Sequence, residues 1–249
     1  MDVAARERAY VRVSGPDAAD YLQRMVSNDV ESLAAGDSCP ALLLTAKARV
    51  IAPLLVWRRG GEDFLLLTEP ELGEPVLGLL RRMRLRARCE IEPEVHASVL
   101  VFGGDGGIGT DFPGAVEVLD STLEPTLDAE ALELRRIEAG APRWGREIDE
   151  RILPAEAGLD ATHVSFTKGC YPGQEPVARL HYRGHPNRRL RVLDLDDVPP
   201  YDTEVVHEGK PVGRITSAAR RPDGSVVALA YVRVEVPEGA RLELARAEA

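Results

Sequence analysis

No stretch of this 249-residue chain is apolar over the roughly 18 residues that a membrane-spanning helix needs. The opening Met1-Asp2-Val3-Ala4-Ala5-Arg6-Glu7 also lacks the apolar core of a signal peptide, so a cytoplasmic protein is expected. Cysteine is scarce. Cys39, Cys89 and Cys170 are odd in number and widely spaced, which excludes a disulfide framework and a CxxC metal site, and no metal site is expected. Positive charge is in deficit: 31 Lys and Arg against 41 Asp and Glu give a net charge of -10. Direct DNA binding and generic attachment to an anionic membrane both need a cationic face, and neither is expected. With 44% hydrophobic and 29% charged residues, the chain falls outside the disordered class, and its length suits one large domain or two to three small ones.

Residue patterning predicts alternating elements. Ala9 to Val13 alternates as a strand, Ser14-Gly15-Pro16 breaks it, and the spacing of Ala18, Tyr21, Leu22 and Met25 predicts a helix ending near Asn28-Asp29. The runs Ala41–Leu44, Val50–Trp57 and Asp63–Thr68 read as an antiparallel meander, and Glu71–Arg84 as an amphipathic helix. A strand at Ala97–Phe102 precedes Gly103-Gly104-Asp105-Gly106-Gly107-Ile108-Gly109. That stretch lacks the Lys-Ser/Thr of a phosphate loop and a following helix, so it reads as a hairpin or surface loop. A helix from Thr126 is capped at Gly140. After Asn187, short regularly spaced strands predict a small all-β barrel or sandwich.

Chemistry concentrates at Ser165-Phe166-Thr167-Lys168-Gly169-Cys170-Tyr171-Pro172-Gly173-Gln174-Glu175. Two glycines and a proline keep Cys170 on an accessible loop, and the cation Lys168 two residues away is placed to favour its thiolate. Cys39 and Cys89 read as packed thiols. His163, His181 and His185 are the available partners for a cysteine-hydrolase dyad, but spacing selects none of them. The cluster Arg179, Arg183, Arg188, Arg189 and Arg191, with His181 and His185, is either a solvated connector or a site for an anionic tail or RNA.

The run Lys168 to Glu175, continuing to Val177-Ala178-Arg179, resembles the KGCYxGQE signature of YgfZ-type folate-binding proteins, relatives of the glycine-cleavage T-protein. Val13–Asp17, Tyr21-Leu22-Gln23 and Ser27–Val30 are similar to that family's opening. Arg136–Pro142 with Pro154-Ala155-Glu156 resembles its middle, and Val212–Ser217 its closing barrel. The resemblance implies an α+β fold of three small domains around a central folate pocket. Residues 1–45 would begin the folate-binding domain, 46–124 would form an inserted α+β domain, 125–186 would complete the first, and 187–249 would be the C-terminal β-barrel.

It further implies tetrahydrofolate or a folate derivative as ligand, and partners among iron-sulfur client or assembly proteins, including tRNA-modifying enzymes. Cys170 and Lys168 become the working pair. A folate pocket needs an aromatic slot, a carboxylate for the pterin N–H groups and cations for the glutamate tail. Tyr10, Asn28 and Tyr171 are candidates for the slot, Glu138 for the carboxylate and Arg136 for ligand contact, with Gln174, Glu175 and Arg179 from the signature. Arg136 and Glu138 also read as an exposed helix pair, and Gln174-Glu175 as a helix start. Two departures stand out. Ala52-Pro53 replaces the acidic Asp-Asp pair of the T-protein, which argues against the alternative of a folate-dependent aminomethyl or one-carbon transferase, and Ala48 stands where relatives usually have glycine. A scaffold that has lost folate is the third reading.

Overall fold

Three antiparallel sheets organise the computed structural model, which describes residues 1–245. Strand β1 (Asp2–Ala5) is followed by β2 (Ala9–Ser14), helix α1 (Ala18–Met25), β3 (Ser38–Leu44), β4 (Val50–Gly60), β5 (Asp63–Thr68), α2 (Gly73–Met83) and β6 (Glu90–Glu94). Then come β7 (Ser98–Phe102), β8 (Ile108–Gly109), β9 (Ala115–Leu119), α3 (Ala129–Glu138) and α4 (Gln174–Arg183). The chain closes with β10 (Arg188–Leu195), β11 (Glu204–His207), β12 (Lys210–Arg220), β13 (Val226–Arg233) and β14 (Glu243–Leu244).

The central sheet has the spatial order β3-β4-β5-β2-β6. Its run Phe64-Leu65-Leu66-Leu67 is apolar without alternation because both faces are covered. Phe64 and Leu66 meet Tyr21, Leu22, Val76 and Leu80 of α1 and α2, while Leu65 and Leu67 pack with Tyr10, Leu55 and Ile108. The turn at residues 45–49, where the sequence divides the first two segments, joins β3 to β4 within this sheet. A smaller sheet, β1-β7-β9-β8, brings the N-terminal strand beside residues a hundred positions later.

The C-terminal sheet runs β10-β13-β12-β11-β14, and its edge strands β10 and β14 do not pair with each other. The expected barrel strands are therefore present in an open sheet. Strand β13 is buried on both sides: Ala228, Ala230 and Val232 face the interior of this unit, and Val227 and Leu229 lie against Ile137 of α3. A register shift in β12 between Ile215 and Ser217 places a second polar side chain inward, as bulges do. Gly140, at φ +67°, ends α3 as expected.

Candidate functional site

The signature loop is pinned at both ends and free in the middle. Lys168 turns inward, and its three N–H groups donate to the carbonyl oxygens of Gln23, Val26 and Asn28 at 2.6, 2.7 and 2.8 Å. These carbonyls close the C-terminal end of α1, where a cation also meets the negative end of the helix dipole. Burial lowers the ammonium to about 8. Its charge lies 5.3 Å from the centre of the Tyr171 ring, which is buried with Leu44, Val50 and Val177. Gly173, at φ +82°, then passes so close to the residue 45–48 turn that a Cβ would lie 2.5 Å from the Thr45 carbonyl oxygen. Between these anchors Cys170 is exposed and unpaired. The expected accessible thiol is therefore present, while the Lys168 ammonium is directed to the carbonyl oxygens that end α1.

A second site lies where the three sheets converge. A cavity of about 340 Å³ is lined by the β1–β2 connection, β4, the β8–β9 loop, the end of α3, and residues 157–163. Its polar wall is a charge cluster. Arg6 donates to Glu69 at 2.6 Å, and Arg8 reaches Glu117 at 3.1 Å and Asp111 at 4.0 Å. His163 is 4% exposed. Its Nδ1 lies 2.8 Å from Thr162 Oγ1, while its buried Nε2 has no hydrogen-bond partner and stands 3.6 Å from Asp111 Oδ2. Burial works against ionisation of Asp111, but His163 and the charges of Arg8 and Arg6 prevail and hold its carboxyl well below the usual range. Pro53, Leu54, Trp144 and Phe112 supply apolar lining, so the Ala52-Pro53 strand contributes wall and no carboxylate.

Arg136 is the expected ligand-contact residue that reaches this cavity, and it is heavily committed. It bonds Glu133, Glu147, Ser217 and the Ala141 carbonyl oxygen, with Glu147 fully buried. Glu138 requires correction: it is exposed and paired with Arg221 at 2.7 Å, outside the cavity. The reason is helical geometry, since residues two apart on α3 point to opposite sides.

Tyr10 lies in the core between sheets, stacked edge-on against His96, and does not line the cavity. Asn28 is a brace, donating to the Pro40 and Thr162 carbonyl oxygens. Tyr171, Gln174, Glu175 and Arg179 gather around a separate depression at the start of α4. The cluster from Arg179 to Arg191 divides between α4 and β10, with Arg188 paired to Glu156. Sequence reasoning missed Arg6, Arg8, Glu69 and Asp111 as cavity residues. None sits in a recognisable motif, and Asp111 follows the glycine-rich stretch that reads as a plain hairpin.

Comparison with known proteins agrees with this architecture. The glycine cleavage T-protein C-terminal barrel domain matches residues 188–248. The chain is 25% identical over 273 residues to the tRNA-modifying protein YgfZ of Serratia proteamaculans, covering 90% of this chain and 82% of that protein. It is 28% identical over 237 residues to the mitochondrial iron-sulfur cluster assembly factor IBA57 homolog of Pyricularia oryzae, covering 83% of this chain and 61% of that one. The crystal structure of the glycine cleavage system aminomethyltransferase T from Bartonella henselae shares the fold, with a TM-score of 0.81 and 17% identity over 99% of this chain and 82% of that one.

Proposed function

The chain is a YgfZ-type relative of the glycine cleavage T-protein, and on that premise we propose that it is a cytoplasmic, tetrahydrofolate-binding accessory protein supporting iron-sulfur enzymes, including those that modify tRNA. The observation that carries the folate part is the buried Nε2 of His163, which makes no hydrogen bond and stands 3.6 Å from Asp111, in a cavity whose wall also holds the ion-paired carboxylates of Asp111 and Glu69. A reduced pterin carries several N–H donors and ring nitrogens, which these groups suit, and Trp144 and Phe112 offer apolar contact. Folate would supply a carrier for one-carbon units. This chain's part is to bind and orient it and to keep water from its ring. The exposed Cys170 is the thiol offered to an iron-sulfur partner, on a loop held rigid by Lys168 and Gly173.

Calorimetric titration with tetrahydrofolate tests the pocket. Binding should stabilise the native state by about 2.7 kcal/mol at a hundredfold excess over Kd, and His163→Ala should weaken it. Absence of heat and of any melting shift at millimolar tetrahydrofolate would remove the folate reading. Restoration of iron-sulfur enzyme activity in a deletion strain by Cys170→Ser as fully as by wild type would remove the thiol's role. The transferase alternative draws on one observation, that Asp111 brings a carboxylate into the cavity despite Ala52-Pro53. Formation of methylenetetrahydrofolate and ammonia from an aminomethyl-lipoyl donor would establish it.

A further inference from the structure

The arginine-rich stretch that follows the signature takes no part in the polar wall of the central cavity. From Pro176 to Leu193 the chain carries five arginines and no acidic residue, on a protein whose net charge is -10. Such a stretch reverses the protein's field locally. Two of the five arginines are committed: Arg188 pairs with Glu156, and Arg191 donates to the carbonyl oxygens of Val236 and Pro237. Arg179, Arg183 and Arg189 are exposed and make no hydrogen bond or ion pair among the described residues. The one carboxylate on α4, Glu175, stands at the start of the helix, a turn before Arg179 and two turns before Arg183.

Arg179, Tyr182 and Arg183 occupy positions i, i+3 and i+4 of α4, so they share one strip of its surface, with the two arginines about 6 Å apart along the axis. Between them Tyr182 is 66% exposed. Its neighbour His181 meets it edge-on at 4.9 Å and stacks on Phe166 at 3.8 Å, which anchors the aromatic group to the loop that carries Cys170. A bare ring between unpaired guanidiniums suits an unstacked base with phosphates on either side. An acidic peptide answers the arginines, whereas a nucleobase with its phosphates answers the arginines and the ring together. A duplex keeps the faces of its bases stacked, and holding one by charge needs a longer cationic face than this acidic chain has.

We propose that the C-terminal half of α4 binds an unpaired strand of RNA, with a base stacked on Tyr182 and neighbouring phosphates on Arg179 and Arg183. This gives the chain its own contact with nucleic acid, beyond service to iron-sulfur enzymes. It does not depend on the folate reading, which concerns the cavity.

Fluorescence anisotropy tests the site with a labelled RNA strand of about 12 nucleotides of mixed sequence, and with the same strand annealed to its complement, at about 50 mM salt. The full chain is compared with Tyr182→Ala and Arg183→Gln; both positions are exposed, and matching melting curves will establish that the variants fold. Wild type should bind the single strand at least tenfold more tightly than the duplex. Tyr182→Ala should weaken that binding at least fivefold, the lower end of the loss expected for one stacked base, and leave its salt dependence unchanged. Arg183→Gln should lower the slope of log affinity against log salt by about 0.7, as for one phosphate contact on a single strand. Arg82→Gln, at an exposed arginine of α2, should match wild type. Equal affinity for the duplex, or full binding by both α4 variants, would overturn the site. A loss in Arg82→Gln equal to that in Arg183→Gln would overturn its location on α4. Failure of the single strand to bind would overturn the inference and leave the folate reading in place, because the cavity is titrated with a different ligand.

Discussion

Arg136 and Glu147 meet in the interior, Nη1 to Oε2 at 2.9 Å, and join α3 to the segment that wraps the C-terminal sheet. Ser217, delivered by the bulge in β12, closes the network by accepting from Arg136 and donating to Glu147 at 2.8 and 2.7 Å. Because Glu147 is fully buried, removing its partner leaves a charge with no water to stabilise it. Arg136→Met should therefore cost about 3–5 kcal/mol. Arg136→Met with Glu147→Leu should cost less than the single change, since no lone charge remains. Urea unfolding of the two variants checks this; equal or greater loss in the double variant would refute it.

The inward-turned Lys168 separates structure from thiol chemistry. Lys168→Met strips the donors from three carbonyls at the end of α1 and should destabilise by about 1–3 kcal/mol. The rate at which Cys170 reacts with iodoacetamide should stay within twofold of wild type, and a tenfold fall would restore Lys168 as activator. In native wild type, Cys170 should label first. Burial pushes the Cys39 thiol up to about 12, only partly offset by the Lys168 charge, and burial also raises Cys89. Mass spectrometry after timed labelling reads all three sites.

His96 gives the fold a pH response. Its Nδ1 lies 2.7 Å from Asp120 and its Nε2 2.9 Å from Glu94. Partial burial favours the neutral ring, but the bonds and charges of these two carboxylates outweigh it and raise the pKa above the ordinary histidine value. A group whose folded value is raised contributes stability that is complete below its unfolded value, near 6.5, and is lost as pH rises through the folded value. His96→Gln should flatten the stability profile on the alkaline side of 6.5. Glu94 acts in the opposite range: hydrogen bonding to Arg59, helped by His96 and opposed by burial, holds it at about 2, so its contribution is present above the usual glutamate range and lost as pH falls. Thermal melts from pH 3 to 9 separate the two.

Ala48 has a φ of +59°, and its Cα lies 3.2 Å from where a Cβ on Gly173 would stand. A left-handed alanine costs about 1 kcal/mol, so Ala48→Gly should be neutral or stabilising by up to about that amount. Gly173→Ala should be strongly destabilising and should loosen the Cys170 loop, since the clash is with backbone that cannot swing aside. Denaturation midpoints of the two variants should move in opposite directions or differ by at least about 1 kcal/mol.

Local physics was legible without coordinates. The alternation of Ala9 to Val13, the meander from Ala41 to Thr68 and the helix around Leu80 are periodic signals, and each forms as read. Glycine and proline around Cys170 correctly imply an exposed loop, because backbone freedom is a property of the residues themselves. The resemblance of the Lys168 to Glu175 run pointed to the family side of the chain and to its fold.

Side-chain destination was decided only by tertiary structure. Lys168 and Cys170 are two residues apart, yet one is spent on the carbonyls ending α1 and the other faces solvent. Arg136 reaches the cavity and Glu138 leaves it, because α3 buries one stripe against β13. Arg6, Arg8, Asp111 and His163 share a wall because three sheets converge, a juxtaposition carried by packing between distant segments. The sequence by itself determined the elements, the loop and the kinship, all of which rest on interactions among neighbours in the chain. Which charges meet, which remain free, and where a ligand can sit depend on long-range burial, and that exists only once the sheets are assembled.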